Sequence, residues 1–351
     1  MSEERFDGVP TSEEISLALR RCWQPVARLE DLEDGPQRAV LLGETLAVFL
    51  TESGAPAVVS DRCAHRGASL SMGEVVGEGI QCPYHGWEWD GGDGACTRIP
   101  SLADQAQIPP RARIPAFPAR AHLGLVWSAL EDPLGEPPSV PWFDPDTCSR
   151  WGHGTPFELP VGLGVTIENF RDIAHFAFVH KKTLGDVSEV VEPLHPERDG
   201  IEVTLRREMK AEGGDGTWES LREGFNQVIA PNFTSIRMRM TKGERWLLHM
   251  ARAISSTESA HYYLEGLSED FDELTLEEAL ESEERLYAED REVMAAVEPR
   301  ELPLALDADV NTLSDRFTLA YREAFAEFVC EALAPRSAQP NSNASSVESA
   351  L

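Results

Sequence analysis

Cys63-Ala64-His65-Arg66-Gly67 and Cys82-Pro83-Tyr84-His85-Gly86-Trp87 read as C-x-H followed, after a spacer, by C-x-x-H. Each short stretch offers one thiolate and one imidazole, so four donors arrive as two matched pairs. The pattern suits a two-iron, two-sulfur cluster with both cysteines on one iron and both histidines on the other. A single zinc also accepts two Cys and two His, although zinc sites at short spacing pair Cys with Cys and His with His. A zinc-stapled, non-enzymatic binding module is therefore the alternative, and it would be colourless.

Outward from these loops the text is strand-like. Ala39–Leu42, Thr45–Leu50 and Ala57–Val59 are short apolar runs broken by Gly43-Glu44 and Glu52-Ser53-Gly54, as expected of an antiparallel β domain. Gly86–Asp90 predicts a strand, Gly91–Gly94 a tight turn, and Leu123–Trp127 a further strand. The glycine run lacks the spacings of a phosphate-cradling loop. Upstream, a helix is expected from Ser12, with Ser12 as its N-cap. Glu131–Pro138 reads as a linker, which places a domain boundary between about 132 and 150. The expected organisation is an N-terminal tail over 1–16, a β domain over 17–140, a second domain over 141–335 and a disordered tail over 336–351.

The chain has 351 residues, 42% hydrophobic and 26% charged, with a net charge of −30. That acidity disfavours nucleic acid and anionic membrane surfaces as partners. No apolar run is long enough to cross a bilayer and no signal peptide is read, so a cytoplasmic setting is expected. Cys22, Cys96, Cys148 and Cys330 read as free thiols, with Cys96 a small buried hydrophobe.

Glu168-Asn169-Phe170-Arg171-Asp172-Ile173-Ala174-His175-Phe176-Ala177-Phe178-Val179-His180 contains D-x-x-H-x-x-x-x-H. Two histidines and a carboxylate with open positions suit mononuclear non-haem iron(II). On an unbroken helix, His175 and His180 would lie roughly 140° apart. The helix must end between them or carry a π-type bulge. Asp172 shares a face with His175 and is better placed to accept its ring N–H than to bind the same ion. On a wheel of residues 280–297, Leu280, Leu286, Tyr287, Val293, Met294 and Val297 form an apolar arc with Asp290 near its middle. Glu283 also lies in the arc; Glu289 and Glu292 do not. A carboxylate aimed into a core must be paired, hydrogen-bonded or metal-bound. Asp290 is thus the candidate third ligand, Glu283 the second choice, and a salt bridge to arginine the competing account.

Together C-A-H-R-G-A, C-P-Y-H-G-W and E-N-F-R-D-I-A-H-F-A-F-V-H resemble the Rieske non-haem iron oxygenases, specifically the oxygenase (alpha) component, over about residues 20–335. The length is similar to the smaller alpha-only vanillate-, dicamba- and caffeine-type demethylases. The resemblance implies an α+β chain: an all-β Rieske domain, then a helix-grip domain with a seven-stranded antiparallel sheet. It implies that Cys63, His65, Cys82 and His85 hold a [2Fe-2S] cluster and that His175, His180 and Asp290 hold Fe(II). Asp172 matches the aspartate that bridges, in a ring-shaped homotrimer, to a cluster histidine of the neighbouring subunit; Asn169 matches a position near the iron.

The activity implied is hydroxylation or oxidative demethylation of a small aromatic, heterocyclic or natural-product substrate with O2, with ring cis-dihydroxylation as the alternative. No nicotinamide or flavin fingerprint is present, so a separate ferredoxin or reductase is expected. Arg62, Arg66, Arg111, Arg113, Arg120, Lys181 and Lys182 are candidates for its docking rim. Phe176, Phe178, Asn226, Val228, Phe233, Trp246 and His249 are candidate pocket residues, each of which also reads as plain core.

Overall fold

Two sequence signals start the chain's first helix, and they select its cap. The computed structural model describes residues 8–208 and 221–334; the predicted tail over 336–351 lies outside them. Helix α1 (Ser12–Leu19) is capped by Thr11 rather than Ser12. Glu14 stands three positions after Thr11, so each satisfies the other's backbone N–H in a capping box. The helix buries Ile15, Ala18 and Leu19 in one apolar cluster with Phe325 and Phe328 of the C-terminal helix α6 (Arg316–Leu333). Residues 12–16 are therefore not part of a loose tail, and α1 packs with the second domain.

The first domain is all β. Gln37–Leu41, Glu44–Leu50, Pro56–Ser60 and Ala116–Phe117 form one antiparallel sheet; Glu74–Val76, Gly79–Gln81, Glu88–Asp90 and Cys96–Arg98 form a second. Gln24–Arg28, Leu125–Ser128 and Ala119–His122 make a third. Leu42 and Gly43 both take positive φ, the demand of a two-residue hairpin turn whose twist suits its strands. That turn docks on the second domain, where Leu42 N donates to Ala253 O and Gly43 N to Ile254 O.

No helix or strand falls between Ser128 and Trp151. Beyond it, Trp151–His153, Ser259–Leu267, Glu244–Ala253, Phe233–Arg239, Glu223–Ile229, Glu202–Glu208 and Glu197–Asp199 follow one another across an antiparallel sheet. Phe157–Leu159 also pairs with Ser259–Leu267, which makes eight strands rather than seven among the described residues. Helices α2 (Leu163–Asn169), α3 (Phe176–Val179), α4 (Lys181–Leu184) and α5 (Leu276–Met294) complete the domain with α6. This is the expected α+β class.

Period-two alternation decides what each face of the sheet meets. Along Glu244–Ala253, Leu248 and Met250 join Trp23, Leu125 and Trp127 of the first domain in one core. Leu247 and His249 point the other way, into a cavity beneath α5. Arg245 shares the latter face. It is buried between Glu265 and Glu283, bonded to Glu265 Oε1 through Nε and to Glu283 Oε1 through Nη2 at 2.8 Å. Arg245→Met would strand two carboxylates in the core. We expect a loss of about 3–5 kcal/mol, read from the denaturant midpoint, with part of it recovered by Glu283→Gln in the same chain.

Candidate functional site

The two cysteine–histidine loops are built alike. Gly67 N donates to Cys63 O at 2.8 Å and Gly86 N to Cys82 O at 3.0 Å, closing each loop over five residues. Both glycines take positive φ, +75° and +67°, which residues with a Cβ rarely adopt. Cys63 N meets Ala68 O, and Cys82 N meets Trp87 O. Both thiols are buried while His65 is half-buried and His85 exposed. The His65 and His85 rings meet edge to face with centroids 4.6 Å apart, and Trp87 stacks on His65. The thiols thus lie inward and the imidazoles outward. Cys96 is buried in the same cluster, as a small hydrophobe would be.

In the second motif the break falls at His180. A single helical turn, α3, lies between His175 and His180; His180 leaves the helix at φ −97°, ψ 17° and starts α4. No π bulge is needed. His175 Nε2 and His180 Nε2 come to 3.1 Å of each other, and Asp290 Oδ1 lies 3.5 and 3.3 Å from them. The three ligand atoms all fall within 4.8 Å of one another.

The far ring nitrogens fix the protons. His180 Nδ1 lies 3.1 Å from Glu289 Oε2, and His175 Nδ1 3.3 Å from Asp172 Oδ2, the latter poorly aligned. An ionised carboxylate only accepts, so each Nδ1 carries a proton and each Nε2 is the nitrogen left to ligate. Both Nε2 lone pairs then converge on a buried carboxylate oxygen that has no aligned donor of its own. Such a site calls for a cation. Without a metal it is served by a proton: burial alone would lower the His175 imidazole, but Asp172 and Asp290 outweigh it and lift it to about 9. Burial would raise the Asp290 carboxyl, but the two histidines hold it well below the usual range. A divalent metal would displace that proton.

Arg171, Phe176, His175, His180, Asn226, Ile236, Leu247, His249 and Asp290 share one cavity of about 900 Å³ counted out to its open mouth. Asn226, Ile236 and Leu247 are a cross-strand row, which is why one face supplies the wall.

The matches to known families fall on these two halves. Residues 22–118 match the Rieske [2Fe-2S] domain family, and residues 162–331 the vanillate O-demethylase oxygenase C-terminal domain family. The chain belongs to the Rieske non-haem iron oxygenases. The methylxanthine N1-demethylase NdmA of Pseudomonas putida is 28% identical over 320 residues, 87% of this chain and 88% of NdmA. The phenoxybenzoate dioxygenase subunit alpha of Ectopseudomonas oleovorans is 39% identical over 261 residues, 68% of this chain and 61% of that one. In fold, the chain superposes on Pseudomonas putida CBB5 NdmA with caffeine at a TM-score of 0.79, over 91% of this chain and 96% of the other, at 23% identity. Dicamba monooxygenase bound to dicamba gives 0.71 over 89% and 97%, at 20% identity. As a Rieske oxygenase the chain carries a [2Fe-2S] cluster and a mononuclear iron.

Several expected positions fall elsewhere in this oxygenase. Phe176, Asn226 and His249 line the cavity; Val228, Phe233, Phe178 and Trp246 do not. Val228 shares the face of Asn226 but lies farther along its strand, in the core beneath α2 and α6. Phe233 and Trp246 belong to the opposite face, toward the first domain. Phe178 projects outward and is 66% exposed. Asn169 is half-buried, with an amide nitrogen that finds no partner among the described residues. Val293 is exposed and α5 stops at Met294, so the apolar arc is shorter than expected. Glu283 is the carboxylate that pairs with an arginine, which leaves Asp290 to the histidines.

Glu289 is the residue the wheel missed. It lies off the apolar arc, yet its second oxygen accepts from Thr183 of α4 at 3.1 Å while the first holds His180. The packing of α4 on that flank, which no periodicity records, gives it the role. Glu289→Ala should weaken Fe(II) binding by about 10–100-fold, measured by competition with a metal-sensitive dye. The absorption of the [2Fe-2S] cluster should stay unchanged.

Proposed function

We propose that the chain is the terminal oxygenase of a multicomponent system that hydroxylates or oxidatively demethylates a small aromatic, heterocyclic or natural-product substrate. In this reading Cys63 and Cys82 hold one iron of the cluster and His65 and His85 the other. His175, His180 and Asp290 hold the catalytic iron. The convergence of His175 Nε2, His180 Nε2 and Asp290 Oδ1 on the wall of a largely apolar cavity carries the reading. The cavity's mostly apolar lining with a few convergent polar groups is that of a small-molecule site. When bound, the two metal centres supply the one-electron and dioxygen chemistry for oxidising a C–H bond. The chain's own residues orient and exclude: Asp172 and Glu289 fix the rings, and Phe176, Ile236 and Leu247 keep water from the substrate. Relatives named as an N1-demethylase and a monooxygenase support demethylation or hydroxylation. The relative named as a dioxygenase supports cis-dihydroxylation as a second reading.

Electrons come, in this reading, from NAD(P)H through a separate reductase or ferredoxin. Arg62 and Arg66 flank the first cluster loop, are exposed, and have no carboxylate partner among the described residues. Arg113 and Lys181 are already paired, with Asp93 and Asp186, so they contribute less to a docking rim. The receiving iron belongs to the next subunit of a homotrimer. Support comes from exposure: His85 and Tyr84 are exposed beside the cluster loops, Phe178 beside the iron ligands, and Asp172 is 34% exposed at its side chain. Among the described residues, the apolar core around the cluster loops draws none from beyond Ala116. Cys22, Cys96, Cys148 and Cys330, which form no disulfide among the described residues, support a reducing, cytoplasmic setting. No described helix is long and apolar enough to cross a membrane.

Anaerobically reconstituted protein should show the broad brown-red absorption of a histidine-ligated cluster; a colourless product would falsify the assignment. Cys82→Ser should lose that absorption. His175→Ala should keep it while losing iron and turnover. Formaldehyde released from methoxy or N-methyl compounds marks demethylation, whereas a cis-diol product marks the second reading. Asp172→Asn should keep both centres yet lower turnover by about 10–100-fold, with the loss in cluster reoxidation by single-turnover absorbance.

A further inference from the structure

The oxygenase cavity contains a guanidinium that its surroundings leave under-compensated. Arg171 is 5% exposed and forms part of the cavity wall. Its Nη1 donates to Asn226 Oδ1 at 2.9 Å and to the Ser235 carbonyl at 3.5 Å. Nε is buried with no partner, and among the described residues no carboxylate pairs with the group. Arg252 is also buried with neutral acceptors, Val26 O and the Tyr262 hydroxyl, but it lies outside this cavity; two other buried arginines have carboxylates. Arg245 meets two glutamates, and Arg322 meets Glu168 through two nitrogens and Asp309 through one. A buried cation with only neutral acceptors is costly, and a carboxylate fitted to the guanidinium fork is its best complement.

The cavity's own carboxylates cannot fill that role. Glu283 is bonded to Arg245 at 2.8 Å, and Asp290 lies between two imidazoles. Asn226 adds a second donor. Arg171 has only N–H groups, so the atom it meets on Asn226 must be the carbonyl oxygen, and the amide nitrogen is left for a ligand.

Resting on the oxygenase reading above, we propose that Arg171 determines substrate class. The substrates are aromatic or heterocyclic acids whose carboxylate binds Arg171, with the Asn226 amide as second donor. The oxidisable carbon then faces His175, His180 and Asp290, and the ring lies against Phe176, Ile236 and Leu247. Because Arg171 shares one segment with His175 and His180, the carboxylate and two of the three iron ligands are held by a single stretch of backbone.

The test is anaerobic calorimetric titration of the fully loaded protein with methoxybenzoates, methylaminobenzoates and N-methylated heterocyclic carboxylates, each against its primary amide. At least one acid should bind, and its amide should bind roughly 30-fold or more weakly. Arg171→Met should erase the acid-over-amide preference with the cluster absorption retained. Arg171→Lys should keep part of it, since an ammonium supplies charge without the fork. Should Arg171→Met fail to fold, the wild-type and Arg171→Lys ratios decide. A panel in which no acid outbinds its amide overturns the proposal, as does an unchanged ratio in Arg171→Met. Turnover of a neutral methoxy compound without acid preference overturns it too, while leaving the oxygenase reading intact. Loss of that parent reading shows earlier, as a protein without cluster absorption before any ligand is added.

Discussion

Three ligand atoms, His175 Nε2, His180 Nε2 and Asp290 Oδ1, meet at one point where a proton or a metal cation must lie between them. No neutral arrangement of those atoms is comfortable in a protein interior, where unmatched polar groups are costly. The fold holds them together from outside. Glu289 and Asp172 take the far ring nitrogens. Asp290 is carried on a helix of five turns whose start is fixed by the Thr275–Glu278 capping box. An N-cap, two carboxylate contacts and a helix break thus bring the three atoms together, and a cation bound there would offset their lone pairs.

The sheet makes this centre usable by keeping two functions on two faces. One face, through Leu248, Met250, Tyr262 and Leu264, is committed to the first domain. The other supplies Asn226, Ile236 and Leu247 to the cavity. A one-residue slip of any strand would exchange the two sets. The buried Arg245–Glu265–Glu283 group lies on the cavity side and joins the sheet to α5, the helix that brings Asp290. Its partners leave this group one negative charge in excess, and burial pushes Glu283 up to about 7.

What was legible in the sequence was whatever depends on residue type at fixed short spacing. The two cluster loops are of this kind: a thiolate, an imidazole and a glycine able to take positive φ recur within five residues. Asp290 was legible because a carboxylate in an apolar arc contradicts its surroundings. Glu289 was not, since its role comes from Thr183 and α4 closing on the flank of α5, a contact between segments over a hundred positions apart. Val228 and Phe233 show the same limit. Alternation gives the face of a strand but not how far along the sheet a cavity extends, nor which face turns to the other domain. The cap at Thr11 was a nearer miss, because the Glu three positions on was there to be read.

The segment from Glu168 to His180 gathers these constraints into one stretch. Arg322 grips Glu168 through both carboxylate oxygens, at 2.7 and 2.9 Å, which anchors the end of α2. The helix then stops, and the residues that follow are free to point in different directions. Arg171 turns into the cavity, Asp172 toward the half-exposed side, and His175 and His180 to the metal position. A continuous helix could not do this: Arg171 and His175, four apart, would share a face, while His175 and His180 would diverge. The broken helix therefore separates Arg171, the two histidines and the outward carboxylate within one short segment. The chain's net charge of −30 repels anions only over a distance that salt screens to about 8 Å. Inside the cavity the nearest charges decide, and there Arg171 is a buried cation with no carboxylate partner among the described residues.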